Sequence, residues 1–237
     1  MNDRPDKRHP NSPLQEVVFE IRFPGETAVE CRRHEFQQVV RDTYPVLRVP
    51  DAAEGVPPAL QLYRFEKEDG SAGLMVALNS FAYFCRRYPG FDAFEPECLK
   101  SVEVFASLFS LDRLTRIGLR HINIIPFARN DGLLPVEDFF VLGDYFSKSL
   151  GGFERFSLAF VLPAGTGKIT TKIESLIHTD ETQEAFVLDF DYAQEGRFRL
   201  SDIKAHLSTA HTESAALFHK LVTITYRDYI KGTEVGG

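Results

Sequence analysis

Alternation of apolar and polar residues marks the first predicted strand of the chain. Within Glu16–Phe23, the apolar residues Val17, Phe19 and Ile21 alternate with Glu20 and other charged neighbours. A period of two residues is typical of a strand that buries one face. Further extended runs, bounded by turn residues, predict seven more strands. They are Leu60–Lys67, Gly73–Asn79, Phe81–Tyr88, Thr115–Phe127, Phe156–Leu162, Lys168–Ile177 and Ala185–Tyr192.

Apolar residues three and four positions apart predict four helices. The clearest is Phe94–Phe109, whose apolar stripe includes Cys98 and Phe105. Pro96 suits its first turn, because proline lacks the amide hydrogen that a first turn leaves unpaired. The other predicted helices are Cys31–Tyr44, Pro135–Leu150 and Ser201–Lys231.

The order of these elements is the same in the two halves of the chain. Residues 14–112 are predicted as βαβββα, and residues 113–231 as βαβββα again. Antiparallel strands joined by short turns, with helices that carry one apolar stripe, indicate one sheet covered by helices on one face. We therefore predict an α+β fold with an internal duplication, in which the halves share eight strands, an arrangement that resembles TATA-box-binding-type folds. Residues 1–13 and 232–237 are expected to be flexible.

Composition and charge narrow the class of protein. The chain has 237 residues, 43% of them hydrophobic and 26% charged, which is typical of a soluble globular protein. Its 34 acidic residues against 27 basic ones give a net charge of −7, which counts against general binding of nucleic acid. The charged, proline-rich start is unlike a signal peptide, and no apolar run approaches the length of a membrane span. We expect a cytoplasmic protein that does not enter a membrane.

No sequence motif points convincingly to a cofactor, and we expect none. Lys168 follows a glycine-rich run, but Ile169 stands where a phosphate-binding loop needs serine or threonine. Strands flank this run on both sides, so a hairpin turn is the better interpretation. His206 and His211 are five residues apart on the last predicted helix, which puts them on different faces and disfavours a metal clamp. We expect His211 to be partly buried beside the apolar stripe.

Two carboxylates on one strand suggest a metal-dependent alternative. Asp189 and Asp191 share the polar face of a predicted strand whose other face carries Phe186 and Leu188. Such a pair can bind a metal ion or act as acid and base. A half-buried strand with a solvated polar face explains the same pattern without a metal. In the metal-dependent interpretation, the protein is an enzyme on nucleotides or phosphoesters, with Arg120 binding phosphate.

Six basic residues on predicted strands form the candidate ligand-binding set. Arginines on a rigid sheet can bind carboxylate or phosphate with two parallel hydrogen bonds, although cross-strand pairing with acidic residues needs no ligand. Residues 20–22 align with 118–120 between the halves. Arg22 and Arg120 then take corresponding places, so we expect them to face each other, and Gly118 leaves room for another group to approach the backbone. The six are Arg22, Arg64, Arg116, Arg120, Lys168 and Lys172, and the acidic partners in the paired alternative are Glu20, Glu66, Glu174, Asp189 and Asp191.

Four segments carry a resemblance to a known family. They are Pro13–Phe23 (PLQEVVFEIRF), Leu60–Phe65 (LQLYRF), Arg116–Asn123 (RIGLRHIN) and Leu188–Asp191 (LDFD), the last of which precedes the long final helix. Together they resemble a sporadically distributed, uncharacterised prokaryotic protein family of about this length, over nearly the whole chain. The resemblance implies a prokaryotic protein, and it implies no activity, cofactor or catalytic residue.

The leading functional hypothesis is a non-enzymatic binding or accessory protein. Its sheet face would engage a protein partner or a small anionic ligand through the six basic residues. The alternatives are the metal-dependent enzyme and, third, a nucleic-acid-binding saddle, which the acidic net charge disfavours. Ile122 and Ile124 fall on the same strand face as Arg116 and Arg120, so we expect something apolar to cover that face and predict a homodimer.

Overall fold

One antiparallel sheet organises the part of the chain that the structure describes. The structure is a computed structural model, and it describes residues 9–49, 62–176 and 183–232. Nine strands of these residues form the sheet. They are β1 (Leu14–Arg22), β2 (Val46–Arg48), β3 (Tyr63–Glu66), β4 (Ala72–Ala77), β5 (Ser80–Cys85), β6 (Leu114–Pro126), β7 (Ser157–Ala164), β8 (Gly167–Leu176) and β9 (Ala185–Phe198).

Helices cover one face of this sheet. The last long helix is preceded by a single 3-10 turn at Leu200–Asp202. None of the helices in the described ranges has an apolar stretch long enough to cross a lipid bilayer. The α-helices of these ranges are α1 (Thr27–Cys31), α2 (Arg33–Val40), α3 (Phe91–Phe109), α4 (Val136–Phe139), α5 (Val141–Leu150), α6 (Ile203–Leu221) and α7 (Ile224–Lys231).

The strand order repeats about the centre of the sheet. The order is β2-β3-β4-β5-β1-β6-β9-β8-β7, so that β1-β5-β4-β3 on one side matches β6-β9-β8-β7 on the other. α3 follows β5 and α6 follows β9, so the helices repeat as well. The α+β fold with a duplicated βαβββα unit is confirmed. β2 has no counterpart and brings the sheet from the eight expected strands to nine. The glycine-rich run before Lys168 is the expected hairpin turn, between β7 and β8, with Gly165 at a φ of 55°.

Alternation along the strands directs one set of side chains into a core beneath the helices. Val17 and Phe19 of β1 are fully buried there. The ring of Phe105 in α3 lies 4.5 Å from that of Phe81 and 5.4 Å from that of Phe36. Burial of apolar surface contributes about 25 cal/mol per Å², and aromatic pairs add to this. Much of the chain's high phenylalanine content, 21 residues, therefore serves the packing of helices on the sheet.

Two predicted helices are interrupted at a shared point. Pro135–Leu150 divides into α4 and α5 at Phe140, and Ser201–Lys231 divides into α6 and α7 after Val222. Both of these residues have extended backbones, and they pair with each other as an isolated antiparallel bridge. The prediction of single helices was wrong here, because the apolar periodicity continues through a break that a distant partner imposes. Thr223 then caps α7 with its hydroxyl, which accepts a backbone amide of that helix.

The other predicted elements occur with shifts at their ends. α3 begins directly after Gly90, whose φ of 103° ends the preceding extended run, so Pro96 is its sixth residue and is not in its first turn. The helix predicted at Cys31–Tyr44 occurs as the shorter α2, and α1, which precedes it on the other side of Arg32, was not predicted. β9 continues six residues past the predicted end at Tyr192.

The first described residues are tied to α7. The amide of Asn11 donates to the carbonyl of Ile230 at 3.3 Å, and its side-chain Nδ2 donates to the carbonyl of Tyr229 at 2.7 Å. Asn11, which lies within the predicted flexible start, is therefore hydrogen-bonded to the fold. Residues 1–8 and the residues beyond 232 lie outside the described ranges, as do residues 50–61 and 177–182.

Truncation of Phe105 tests the packing of α3 on the sheet. Phe105 is fully buried and contacts four other phenylalanine rings. Phe105→Ala should lower the free energy of unfolding by about 3–5 kcal/mol, measured by urea denaturation. Lys100→Ala, on the exposed side of the same helix, should change it by less than about 0.5 kcal/mol. Equal stability of the two variants would contradict this helix orientation.

Candidate functional site

The sheet face opposite the helices carries a network of ion pairs, and five of the six predicted basic residues belong to it. Nitrogen–oxygen distances range from 2.6 Å for Arg116–Glu20 to 3.8 Å for Lys168–Glu195. The sixth, Lys172, is exposed and stands opposite Asp189 in the strand register. The structure thus shows the alternative in which the basic residues pair with acidic residues of the sheet, and four of the five expected acidic partners take part. The pairs are Arg22–Glu20, Arg48–Glu66, Arg64–Glu66, Arg86–Glu16, Arg116–Glu20, Arg116–Asp191, Arg120–Asp189 and Lys168–Glu195.

Arg116 is the centre of this network. Its side chain is only 12% exposed. Nη1 donates to Oε1 of Glu20 at 2.6 Å, and Nη2 donates to both carboxylate oxygens of Asp191 at 3.0 Å. The guanidinium lies over the backbone of Gly118, where a Cβ would be 2.6 Å from Nη1. The expectation that Gly118 leaves room for another group is confirmed, and the group is a side chain of the same strand.

Arg22 and Arg120 do not face each other. In the β1–β6 register Arg22 stands opposite Arg116, and Arg120 stands opposite Val18. The expected pair of facing guanidinium groups was therefore wrong, because the two strands pair four residues away from that arrangement. Arg120 instead donates from Nε and Nη2 to the two carboxylate oxygens of Asp189, at 2.9 and 2.7 Å.

Asp189 and Asp191 lie on the polar face of β9, as predicted. An arginine occupies both oxygens of each carboxylate. Burial raises the pKa of Asp191, against the opposing effect of the Arg116 charge and hydrogen bonds. Across the described ranges, no three histidine, cysteine or acidic side chains are grouped so as to hold a metal ion. At this place the carboxylates serve to neutralise arginines.

A pocket of about 140 Å³ on the helix side of the sheet brings together four of the chain's seven histidines. We call it the histidine pocket, after His9, His121, His211 and His219. β6 supplies His121 and Asn123, α6 supplies His211, Ser214 and His219, and α7 supplies Arg227 and Lys231. The segment that precedes β1 closes one side through His9 and Pro13.

The inner end of the histidine pocket is polar and buried. Burial, with a smaller contribution from the neighbouring His211, lowers the pKa of His121 to about 3, so its imidazole is uncharged at neutral pH. His211 stacks on Phe91, with ring centroids 4.1 Å apart. The Nδ1 of His121 and the Oγ of Ser214 are buried and have no hydrogen-bond partner among the described residues. Such groups cost about 1–3 kcal/mol each unless something satisfies them.

The other half of the chain offers a comparison for this place in the fold. α3 and α6 are both 19 residues long and follow corresponding strands. Aligned end to end, His211 corresponds to Leu99 of α3, and Ser214 corresponds to Val102. A second pocket beside α3 is lined by Leu99 and Val102, together with Leu200 and Ile203 from the start of the other helix and Glu103, Ala106, Ser107 and Leu111.

The correspondence extends to the residues that face each helix. Leu200 and Ile203 take the places of Tyr88 and Phe91, which border the histidine pocket. The two pockets are therefore equivalent positions of one duplicated framework, one with aliphatic side chains deep in it and one with histidine and serine. The framework of the first half therefore accepts leucine and valine where the second half has His211 and Ser214.

Sequence reasoning found one member of this pocket and missed the rest. His211 is buried, as expected from its place beside the apolar stripe. His121 and Asn123 were missed, although the alternation of the predicted strand places both of them on its buried face. A buried histidine and asparagine on consecutive inward positions was the signal available, because such residues need polar partners.

Comparison with known proteins adds no assignment. No protein-family model matches the sequence, and a search of curated proteins finds no significant relative. The resemblance to a prokaryotic family therefore stays a prediction, and the function has to be argued from the site.

The contact between Arg116 and Gly118 can be tested by a double-mutant cycle. Gly118→Ala should lower the free energy of unfolding by about 1–3 kcal/mol, because the new methyl group forces the guanidinium away from Glu20 and Asp191. In an Arg116→Ala background the same change should cost less than about 0.5 kcal/mol. Urea denaturation of the four proteins gives both values. Equal costs in the two backgrounds would show that Arg116 does not depend on Gly118.

Proposed function

We propose that this protein is a binding protein whose ligand is a small molecule held in the histidine pocket. The observation that carries the proposal is the buried, unpartnered Ser214 hydroxyl, at a position where the other half of the chain has Val102. A buried hydroxyl that no described residue satisfies, at a place where the other half has an aliphatic side chain, is available to bind a ligand.

The dimensions and walls of the pocket support a small ligand. An engineered cavity of about 150 Å³ in another protein accommodates benzene, and this pocket is of about the same size. Its walls combine apolar residues, among them Phe190 and Phe218, with a few polar groups that converge on the same space. A largely apolar cavity with a few placed hydrogen-bonding groups is typical of small-molecule sites.

The sheet face offers weaker support for an anionic ligand. Arg22, Arg64, Arg116 and Arg120 are each paired with a carboxylate. An incoming anion would have to displace Glu20, Glu66, Asp189 or Asp191 from arginines that they already neutralise. The anion of the leading hypothesis therefore has a better place on the helix side.

Exchange of the corresponding residues in α3 and α6 tests the proposal. Ser214→Val should raise the free energy of unfolding by about 1 kcal/mol, because it removes an unsatisfied buried hydroxyl. Val102→Ser should lower it by about 1–3 kcal/mol, because it introduces such a group. Urea denaturation measures both. A loss of stability in Ser214→Val as large as that in Val102→Ser would assign Ser214 a structural role and overturn the proposal.

A second measurement reads out binding directly. Purified wild-type protein, Ser214→Val and Val102→Ser are denatured, and the small molecules that each releases are compared by mass spectrometry. A compound released by the wild type and by Val102→Ser, but lost from Ser214→Val, supports the proposal. A compound retained equally by all three places the binding site elsewhere.

The sheet face has one observation in favour of a second candidate, association with another copy of the chain. Ile124 stands opposite Val187 in the register, two residues from Ile122, and all three are half-exposed on the open face. A homodimer through this strip should scatter light as twice the mass of one chain at tens of micromolar, and Ile122→Lys should return it to a monomer. A monomeric wild type would contradict this candidate and leaves the pocket proposal unaffected.

A further inference from the structure

We infer that the ligand of the histidine pocket is an amphipathic anion, a carboxylate or phosphate ester whose charged end lies at the rim and whose neutral, hydrogen-bonding end lies inside. This inference rests on the proposed function, and it names the chemical class and the orientation of the ligand.

Charge at the rim favours an anion. Arg227 and Lys231 project from α7, and His9 and His219 border the same opening. None of the described residues that line the pocket is acidic, although the chain carries a net charge of −7. The Nε of Arg227 donates to the carbonyl of Thr223 at 3.4 Å, which holds the guanidinium near the opening. A cationic rim in an acidic protein attracts a ligand of negative charge.

The inner end does not suit a charge. Ser214, Asn123 and His121 are all neutral, and Asn123 already donates from Nδ2 to the carbonyl of Leu188 at 3.0 Å. A carboxylate or phosphate placed here would lose its hydration without an arginine or lysine to meet it, since Arg227 and Lys231 lie at the rim. A hydroxyl fits better, since it donates and accepts at once and can pair with the serine and the imidazole.

Apolar side chains separate these two ends. Leu14, Phe190, Phe218 and Ile230 line the pocket between the strand that carries His121 and the helix that carries Arg227. The whole pocket has a volume of about 140 Å³, which limits the body of the ligand to about one aromatic ring. The ligand is therefore expected to have a hydroxyl, a ring-sized apolar body and an acid group, in that order from inside to outside.

Four probe compounds separate these features. 4-Hydroxybenzoate carries both ends, 4-hydroxybenzamide replaces the acid by a neutral amide, benzoate lacks the inner hydroxyl, and 4-hydroxyphenyl phosphate exchanges the type of anion. Dissociation constants are measured by titration followed by NMR on the full chain. 4-Hydroxybenzoate or 4-hydroxyphenyl phosphate should bind at least about tenfold tighter than 4-hydroxybenzamide, because only the anions form charge-assisted hydrogen bonds with Arg227. The tighter of the two identifies the acid.

Two variants test which end of the ligand lies at the rim of the pocket and which lies inside it. Arg227→Gln should remove most of the advantage of the anions over the amide, whereas Arg113→Gln, an exposed arginine outside the pocket, should leave it unchanged. Ser214→Val should weaken 4-hydroxybenzoate and leave benzoate nearly as before. These two effects together would establish the orientation.

Results that contradict an anionic ligand can be told apart from results that contradict the proposed function. Equal binding of acid and amide, unchanged in Arg227→Gln, would overturn the anion while a small-molecule pocket remains. Absence of binding by all four probes would overturn this ligand class, whereas the proposed function stands or falls on the stability of Ser214→Val.

Discussion

The antiparallel contact between β1 and β6 is the interaction on which the rest of the structure depends. It joins the two halves of the duplicated framework in one sheet, and Phe19 stands opposite Leu119 at its middle, both of them buried. A slip of one residue would turn every buried side chain of these strands towards solvent. The same register sets Glu20 beside Arg116, so the pattern of charges on the open face follows from the packing of the core on the other.

One-sided burial explains why the open face needs so many ion pairs. Helices cover only one face, yet several charged side chains on the other face are shielded from water by their neighbours and are not fully hydrated. Glu66 is 3% exposed and is neutralised from two sides by Arg48 and Arg64. The guanidinium groups of Arg64 and Arg86 lie 4.8 and 4.9 Å from the centre of the buried Phe84 ring. The arginines thus cover apolar surface and satisfy carboxylates, which accounts for them without a ligand.

Periodicity predicted most of this architecture, because a helix or strand with one buried face has apolar residues at regular intervals in its sequence. It failed where a distant partner decides the local structure. Phe140 and Val222 interrupt two regular apolar stripes and pair with each other at the break. The position of Arg120 was misjudged for the same reason, since an alignment between halves does not determine the strand register. Similarly, the histidine pocket joins His121 and His211 from elements that become neighbours only on folding. The polar residues of this pocket could be seen in the sequence, but the sequence did not show that they come together.

Because the framework is duplicated, each position in one half can be compared with the corresponding position in the other. Where the two halves carry equivalent side chains, such as the apolar stripes of α3 and α6, the packing of the fold explains why those side chains are present. Where one half buries polar groups and the other buries aliphatic ones at the same place, the fold accepts both, and stability favours the aliphatic set. Ser214 against Val102 and His211 against Leu99 are differences of this kind. The sheet-face arginines already have carboxylate partners, whereas the histidine pocket brings two buried polar atoms without a partner among the described residues, Nδ1 of His121 and Oγ of Ser214, to one cavity. A ligand that supplies the missing hydrogen bonds there would stabilise the second half in the way that packing alone stabilises the first.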